Sequence, residues 1–335
     1  MAVVLRNLLK LNKSASYCPI IARQFASKSE NGENGKEAKA EKEEEKIPEN
    51  ILVEKSDVVT LIGINRPQKR NCVDSLTSSQ LIKAITDFEA DEKSPVGVLY
   101  GIGGTFCAGY DLAEAAKGGA ESIITNTDGA MGPTRLITKK PLIAAINGYC
   151  VGGGLELALM CDLRVVEENS ILGFFNRRFG VPLVDGGCAR LAHLIGLSRA
   201  LDLVLTGRQV TAQEAAEIGL ANRVVAIGAS LGQAVNLANC IAKFPQEGVK
   251  HDRDALYYSC YDSPNFQTSV NYEVMTCTKE LFDEATAGSG KFIEEGIGKG
   301  GKFHDVREKD LPEWEREEIQ RENKAKEEAA TEKKE

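Results

Sequence analysis

The chain has 335 residues, of which 42% are hydrophobic, and it carries a formal net charge of −8. That length allows one large domain, or one domain with a small appendage. The negative charge argues against nucleic-acid binding through a broad basic surface. No segment approaches the roughly 20 apolar residues that cross a bilayer, so no membrane insertion is expected.

The nine cysteines and three histidines are scattered along the chain and include no C-x-x-C pair. Structural zinc sites group such residues at short spacings, and disulfides belong to oxidising compartments. The sequence therefore predicts free thiols in a reducing compartment, no metal site and no redox cofactor.

The two ends of the chain differ in composition from its middle. Residues 1–25 contain four basic residues, several interleaved leucines and no acidic residue, a pattern typical of a mitochondrial transit peptide. We expect cleavage after Phe25 and a location in the mitochondrial matrix; a disordered basic tail is the alternative. Residues 26–46 and 307–335 are rich in Lys and Glu and are predicted to be a disordered linker and a charged tail.

Between these ends, strand and helix patterns alternate. Short apolar runs predict strands at residues 58–64, 96–100, 142–146, 163–166 and 171–174. Apolar residues at helical spacing predict helices at residues 75–90, 198–205, 211–218 and 230–243. Thr211 and Glu214 form a capping-box pair. The alternation predicts an α/β core domain over residues 47–245, followed by a helical subdomain over residues 246–306.

Two loops follow predicted strands and carry small residues. In the first, Ala108 and Gly109 let a ligand approach the main chain, and Asp111 can cap a helix. In the second, three glycines from Gly152 to Gly154 open a helix. Free N–H groups and the positive end of the helix dipole then favour an anion or an oxyanion at this turn.

Several motifs together resemble the enoyl-CoA hydratase (crotonase) family. They are NRP at Asn65, FCAGYDL at Phe106, AAINGYCVGGGLELALMCDLR at Ala144 and RLAHLIGLSRALDLVLTGRQVTAQEAAEIGLANRVV at Arg190. Their order and spacing match the family over roughly residues 50–300. The resemblance implies a crotonase-like spiral of ββα units with a small C-terminal helical subdomain. It also implies an acyl-CoA thioester as substrate, no separate cofactor, and a homotrimer or a dimer of trimers.

The resemblance implies roles for individual residues. The backbone N–H groups of Ala108 and Gly153 would form the oxyanion hole for the thioester oxygen. Glu156 would be one of two catalytic glutamates around a water; a helix cap or dipole partner is its alternative role. Asn176 occupies the position of the second glutamate, and an amide cannot exchange a proton as a carboxylate does. Asp185 is either a replacement acid or base, or the cap of a helix that begins near Gly186.

The implied substrate-binding set is drawn from the NRP turn and the two loops. Its members are Arg66, Lys69, Gly104, Ala108, Tyr110, Asp111, Leu112, Gly152 and Gly153. Arg177 and Arg178 either bind an acidic acyl group or a CoA phosphate, or tie down a loop. The aromatic rings of Phe174, Phe175 and Phe179 either line an acyl pocket or fill the core.

Hydration of a 2-enoyl-CoA is the expected reaction, with Glu156 handling the water proton and Asp185 or a second water completing the transfer. Isomerisation, decarboxylation or thioester hydrolysis on the same site is the alternative, because these reactions need only one carboxylate. A catalytically inactive CoA-ester-binding or scaffold protein is the alternative from another class.

Overall fold

The computed structural model describes residues 48–119, 129–294 and Arg321. The predicted transit peptide, the linker, residues 295–306 of the helical subdomain and nearly all of the charged tail lie outside these residues. The described residues from Pro48 onward belong to one compact unit. None of the helices in these ranges combines the length and apolar character needed to span a bilayer.

The described chain contains nine strands and ten α-helical segments. The strands are β1 (Ile51–Ser56), β2 (Val59–Ile64), β3 (Val96–Gly101), β4 (Leu142–Ile146), β5 (Tyr149–Val151), β6 (Leu163–Glu167), β7 (Ile171–Gly173), β8 (Val210–Thr211) and β9 (Arg223–Val225). The helices are α1 (Ser75–Ala90), α2 (Leu112–Glu114), α3 (Gly153–Met160), α4 (Gly187–Ile195), α5 (Leu197–Thr206), α6 (Ala212–Glu217), α7 (Ser230–Ala242), α8 (Gln246–Tyr261), α9 (Phe266–Met275) and α10 (Lys279–Glu294). Single 3-10 turns lie at Pro67–Lys69, Pro133–Arg135 and Phe175–Phe179.

Two sheets organise the fold. The larger sheet has the strand order β1-β2-β3-β4-β6-β9, in which β1 and β2 pair antiparallel and every later pair is parallel. The smaller sheet has the order β5-β7-β8. Every residue of β2 and of β4 is buried, as expected for parallel strands covered on both faces.

From β4 to β7, consecutive strands alternate between the two sheets. β4 lies in the larger sheet, β5 in the smaller one, and α3 follows; β6 and β7 repeat this placement before α4. This repeat of two strands and a helix confirms the predicted α/β spiral of ββα units. It also places the glycine turn that opens α3 directly after β5.

Apolar side chains cover both faces of the larger sheet. On one face α1 buries Leu81, Ile85 and Phe88, and its first turn is capped by Asp74, whose carboxylate accepts the Thr77 amide at 2.9 Å. On the other face α7 packs Ala234 and Ala238 against β3 and β4. The predicted helix at residues 75–90 is confirmed, as is the Thr211 cap, which accepts the Glu214 amide at 3.2 Å.

A partly buried ion pair joins helix α8 to the larger sheet. Asp162 Oδ1 accepts hydrogen bonds from Arg253 Nε and from the Tyr257 hydroxyl, both at 2.8 Å, while Asp162 Oδ2 accepts the Leu142 amide at 2.8 Å. One carboxylate therefore joins α8 to the start of β4. Removing one partner of the pair would leave the other charge partly buried without its counter-charge.

Candidate active site

The two small-residue loops meet across a short parallel bridge between Cys107 and Cys150. The Cys107 amide donates to Tyr149 O at 3.0 Å, and the Val151 amide donates to Cys107 O at 3.1 Å. A Cβ on Gly154 would lie 2.2 Å from Cys107 O, so the approach requires glycine there. The pairing brings the FCAGYDL loop beside the first turn of α3.

A cavity of about 560 Å³ opens where these loops meet. Most residues predicted to be functional lie in its wall. They are Ala108, Tyr110, Asp111, Leu112, Gly152, Gly153, Glu156, Asn176 and Asp185. The wall is largely apolar elsewhere, with contributions from Ala130, Met131, Val151, Phe175, Phe179, Val181, Pro182 and Val184.

Three residues predicted to bind substrate lie outside this wall. Arg66 forms ion pairs with Asp74 at 2.8 Å and Asp111 at 3.3 Å, so its guanidinium holds the protein's own carboxylates. Lys69 lies in a neighbouring surface depression that also contains Arg66 and Asp111. Gly104 is exposed at φ 85°, and its carbonyl lies against Gly148, so it lies in a turn outside the cavity wall.

The hydrogen bonds of the first loop correct one expected oxyanion donor. The Ala108 amide donates to Arg70 O at 3.0 Å, so it is already engaged. Arg70 and Asn71 adopt φ values of 51° and 56°, which turn this carbonyl towards the loop. The Tyr110 amide donates no hydrogen bond to another described residue. Among the described residues, the free donor of the loop is therefore Tyr110, two residues beyond Ala108.

The second loop supplies a free amide as expected. Gly152 is the N-cap of α3 at φ 56°, and no side chain caps this helix. The Gly153 amide is the first of the helix, where N–H groups lack intrahelical partners. A Cβ on Gly109 would lie 3.1 Å from the Gly153 nitrogen. Gly109 therefore lets the loop that carries the Tyr110 amide lie close to the Gly153 amide.

Glu156 lies in the first turn of α3 and is 2% exposed. Its Oε1 accepts the amides of Asp185 and Gly187, both at 3.0 Å. Burial, followed by the charge of Asp185, raises the pKa of Glu156 to about 7. Because these bonds go to Asp185 and to the first residue of α4, Glu156 does not cap its own helix. A carboxyl group with a pKa near neutrality in an apolar cavity can accept and return a proton.

Asp185 is equally buried, at 2% exposure. Its Oδ1 accepts the Met131 amide at 3.2 Å and the Thr134 hydroxyl at 2.5 Å. Helix α4 has Gly186 as its N-cap, without a side-chain hydrogen bond. The cap interpretation of Asp185 is therefore wrong: its carboxylate holds the segment at residues 129–134, which lies far away in the chain.

Asn176 lies in the 3-10 turn beside Gly152. Its Nδ2 donates to Val181 O at 2.7 Å, and its Oδ1 is buried without a hydrogen-bond partner in the described chain. The carbonyl of Val181 fixes the amide orientation, because only the NH₂ group can donate to it. Asn176 therefore holds an unpaired acceptor beside the turn that opens α3.

The phenylalanines and arginines at residues 174–179 differ in what they contact. Phe174 is fully buried in the core, whereas Phe175 and Phe179 line the cavity. Arg178 stacks on the Phe175 ring at 4.2 Å, and Arg177 donates to Val181 O at 3.4 Å. Both arginines therefore contact their own turn, which supports the interpretation that they hold this loop in place.

Sequence reasoning missed the segment at residues 129–134. Ala130 and Met131 line the cavity and are buried. The segment turns at Gly129 and Gly132, which adopt φ values of 105° and 91°. These two glycines and Pro133 were the only sequence signal of a turn there, and nothing in their spacing pointed to the cavity.

Comparisons with known proteins agree with this geometry. The family model described as enoyl-CoA hydratase/isomerase matches residues 54–297. The mevalonyl-coenzyme A hydratase of Aspergillus fumigatus is 35% identical over 202 residues, covering 60% of this chain and 75% of that protein. A probable mitochondrial enoyl-CoA hydratase of Dictyostelium discoideum is 34% identical over 203 residues, covering 61% and 73%. The crystal structure of an enoyl-CoA hydratase from Mycobacterium marinum shares 34% identity and a TM-score of 0.68, covering 74% of this chain and 97% of that one.

Fold, site and relatives together define a hydratase-like enzyme that acts on acyl-CoA. The chain belongs to the enoyl-CoA hydratase/isomerase family, which confirms the resemblance of its motifs.

Proposed function

We propose that the protein hydrates 2-enoyl-CoA thioesters with Glu156 as its single proton-transferring carboxylate. The observation that carries the proposal is the position of Glu156 in an apolar cavity, three residues after a free helix N-terminal amide, with a pKa of about 7. At that pKa both protonation states are populated near neutral pH, as a group that accepts and later donates a proton requires.

The oxyanion would be held by two main-chain donors, the amides of Gly153 and Tyr110. Both belong to turns that border the cavity, and neither has an acceptor in the described chain. Donors fixed in advance at a developing negative charge need no rearrangement during the reaction. Tyr110 replaces Ala108 in this role because Arg70 already occupies the Ala108 amide.

The proton balance of the reaction closes with one carboxylate. Ionised Glu156 accepts a proton from water as the water oxygen adds to the β-carbon, and the π electrons move onto the thioester oxygen. The resulting enolate returns its electrons to the α-carbon, which takes the proton back from Glu156. The unpaired Oδ1 of Asn176 would accept a hydrogen bond from the attacking water without removing its proton.

Isomerisation, decarboxylation or thioester hydrolysis is the second candidate. Asn176 at the cavity wall favours it, because among the described residues that line the cavity only the carboxylates of Glu156 and Asp185 are buried. Moving a double bond needs one group that removes a proton and returns it to another carbon. These reactions would use the same oxyanion donors.

A panel of CoA thioesters followed by mass spectrometry separates these reactions. The purified protein is expected to add water to crotonyl-CoA and to longer 2-enoyl-CoAs. Glu156→Gln should remove this activity, whereas Glu168→Gln, at an exposed position, should keep it. Products with unchanged mass, lost CO₂ or free CoA would instead establish the second candidate. Tight binding without any turnover would establish an inactive binding protein.

Cell location and assembly are also proposals. The basic, acid-free first 25 residues and the mitochondrial Dictyostelium relative support the mitochondrial matrix. Helices α8 and α9 expose large apolar side chains, including Phe266 at 82% and Met275 at 84%. Such exposure supports burial in a homotrimer or a dimer of trimers. Cell fractionation with N-terminal sequencing tests the mitochondrial location, and light scattering on the purified protein tests the oligomeric state.

A further inference from the structure

Asp185 connects three parts of the site. Its side chain accepts hydrogen bonds from Met131 N and from the Thr134 hydroxyl, its own amide donates to Glu156 Oε1, and its carbonyl accepts Arg190 at 3.1 Å. The residue is almost fully buried, and its contacts with Met131, Thr134 and Glu156 are buried with it. One residue thus holds the proton-transferring carboxylate and a separate wall of the cavity.

The segment at residues 129–134 is wrapped around the Asp185 carboxylate. A Cβ on Gly129 would lie 2.5 Å from Asp185 Oδ1 and 2.6 Å from Thr134 Oγ1. Glycine is therefore required where the turn closes on the oxygen, at a φ of 105°. The whole segment is buried, so its position depends on this anchor rather than on solvent contacts.

The same segment brings Met131 to the proposed oxyanion site. A Cβ on Gly153 would lie 2.6 Å from Met131 Sδ, so the thioether packs against the residue that supplies the oxyanion amide. Met131 is fully buried and lines the cavity. Its volume limits the space beside the reacting carbonyl.

We propose that Asp185 is a positioning residue that fixes Met131 beside Gly153 and thereby limits the size of the acyl group. The inference rests on the proposed function, because it concerns the acyl group at the same site. In this role Asp185 acts through Oδ1, which two donors from the wall segment occupy, and the proton transfer stays with Glu156.

Two variants separate the hydrogen bond that holds the wall segment from the negative charge of Asp185: Thr134→Val and Asp185→Asn. Thr134→Val removes the hydroxyl and keeps the carboxylate, so the wall loosens and KM for crotonyl-CoA should rise about tenfold with kcat nearly unchanged. Thr134→Ser keeps the hydroxyl and should restore the wild-type KM. Asp185→Asn keeps an oxygen for the two donors and should leave kcat within about tenfold of the wild type.

Met131→Ala tests the size limit directly. The variant should raise kcat/KM for octenoyl-CoA relative to crotonyl-CoA at least tenfold, because the shortened side chain frees volume beside Gly153. Thermal unfolding of each variant checks that the fold is intact. An unchanged chain-length ratio in Met131→Ala would overturn the proposal. Loss of turnover in folded Asp185→Asn as complete as in Glu156→Gln would overturn it too.

The pH dependence of hydration should change in Asp185→Asn only if the charge of Asp185 acts on Glu156, and a purely structural role of Asp185 would leave it unchanged. Asp185, Arg190 and the Cys188 thiol face Glu156 from the α4 side, and residues 129–134 contain no titratable group. Removing the Asp185 charge should move the Glu156 limb of the hydration profile to lower pH. Thr134→Val should leave that limb in place. A limb that stays in place in Asp185→Asn would contradict the coupling of Asp185 to Glu156.

Calorimetric binding of butanoyl-CoA and octanoyl-CoA keeps the test independent of turnover. If the wild type hydrates no enoyl-CoA, the proposed function fails, yet Met131→Ala should still gain affinity for octanoyl-CoA over butanoyl-CoA. If the wild type hydrates crotonyl-CoA but neither kinetic nor binding selectivity changes in Met131→Ala, only the positioning role of Asp185 fails.

Discussion

The two walls of the cavity carry their function in different atoms. The wall at the first turn of α3 presents the buried carboxylate side chain of Glu156 in addition to the Gly153 amide. The wall at the FCAGYDL loop presents a main-chain amide, and its hydrogen bonds show that Tyr110 rather than Ala108 is free. The chemistry of a side chain can be read from the sequence. Whether a backbone amide is free to donate to a ligand depends on which acceptors the rest of the chain places beside it.

The largest effect is expected at the side-chain wall. Glu156→Gln should lower kcat for crotonyl-CoA hydration by about 10³-fold, since the amide cannot accept the water proton. Steady-state kinetics measures the change, with Glu168→Gln as the matched surface control. A Glu156→Gln enzyme that retains more than a tenth of the wild-type rate would move the proton transfer to another group.

The main-chain wall can be tested by replacing single amides with esters, which removes one N–H and keeps the side chain. An ester at residue 110 should lower kcat by about 10²-fold, the typical loss of one oxyanion donor. An ester at residue 108 should instead cost about 1 kcal/mol of unfolding free energy, because it breaks the bond to Arg70. If the ester at residue 108 gives the larger loss of kcat, Ala108 is the donor after all.

The pH dependence of hydration follows from the raised pKa of Glu156. Hydration needs the ionised carboxylate, so kcat/KM should fall as pH drops through about 7. The loss should be about tenfold between pH 8 and pH 6. The reverse dehydration starts from the same ionised form, because Glu156 must then remove the α-proton, so its kcat/KM should also fall as pH drops through about 7. A flat hydration profile over this range would mean that Glu156 does not titrate in the catalytic step.

The smallest expected effect is on stability. The folded-state pKa of Glu156, about 7, lies above its ordinary value of 4.5, so the neutral form stabilises the fold. That stability is fully present below about 4.5 and is lost as pH rises through about 7. Glu156→Gln should therefore raise the unfolding free energy at pH 8 by about 1–3 kcal/mol and leave it nearly unchanged at pH 4. Denaturant unfolding at both pH values measures the difference.

Sequence patterns reached the parts of the structure that depend on local chemistry. The buried runs of β2 and β4, the face of α1 and the glycine turn before Glu156 follow from periodicity and residue type. Sequence patterns did not predict β1, because this edge strand has charged, exposed residues at Glu54 and Lys55.

Features that depend on distant contacts were beyond sequence reasoning. The partner of Asp185 is Thr134, 51 residues earlier in the chain, so the local signal of a helix cap was misleading. The Ala108 amide donates to the carbonyl oxygen of Arg70. No sequence pattern predicted the left-handed backbone conformation of Arg70. Arg66 was expected in the substrate-binding set, but two carboxylates of its own chain hold its guanidinium.

The most direct measurement is proton NMR of the product that the purified protein forms from crotonyl-CoA in D₂O. A single-carboxylate hydration predicts 3-hydroxybutanoyl-CoA with deuterium incorporated at C2, formed by the wild type and absent with Glu156→Gln. Recovery of unchanged crotonyl-CoA, or of a thioester whose double bond has moved without addition of water, would contradict it.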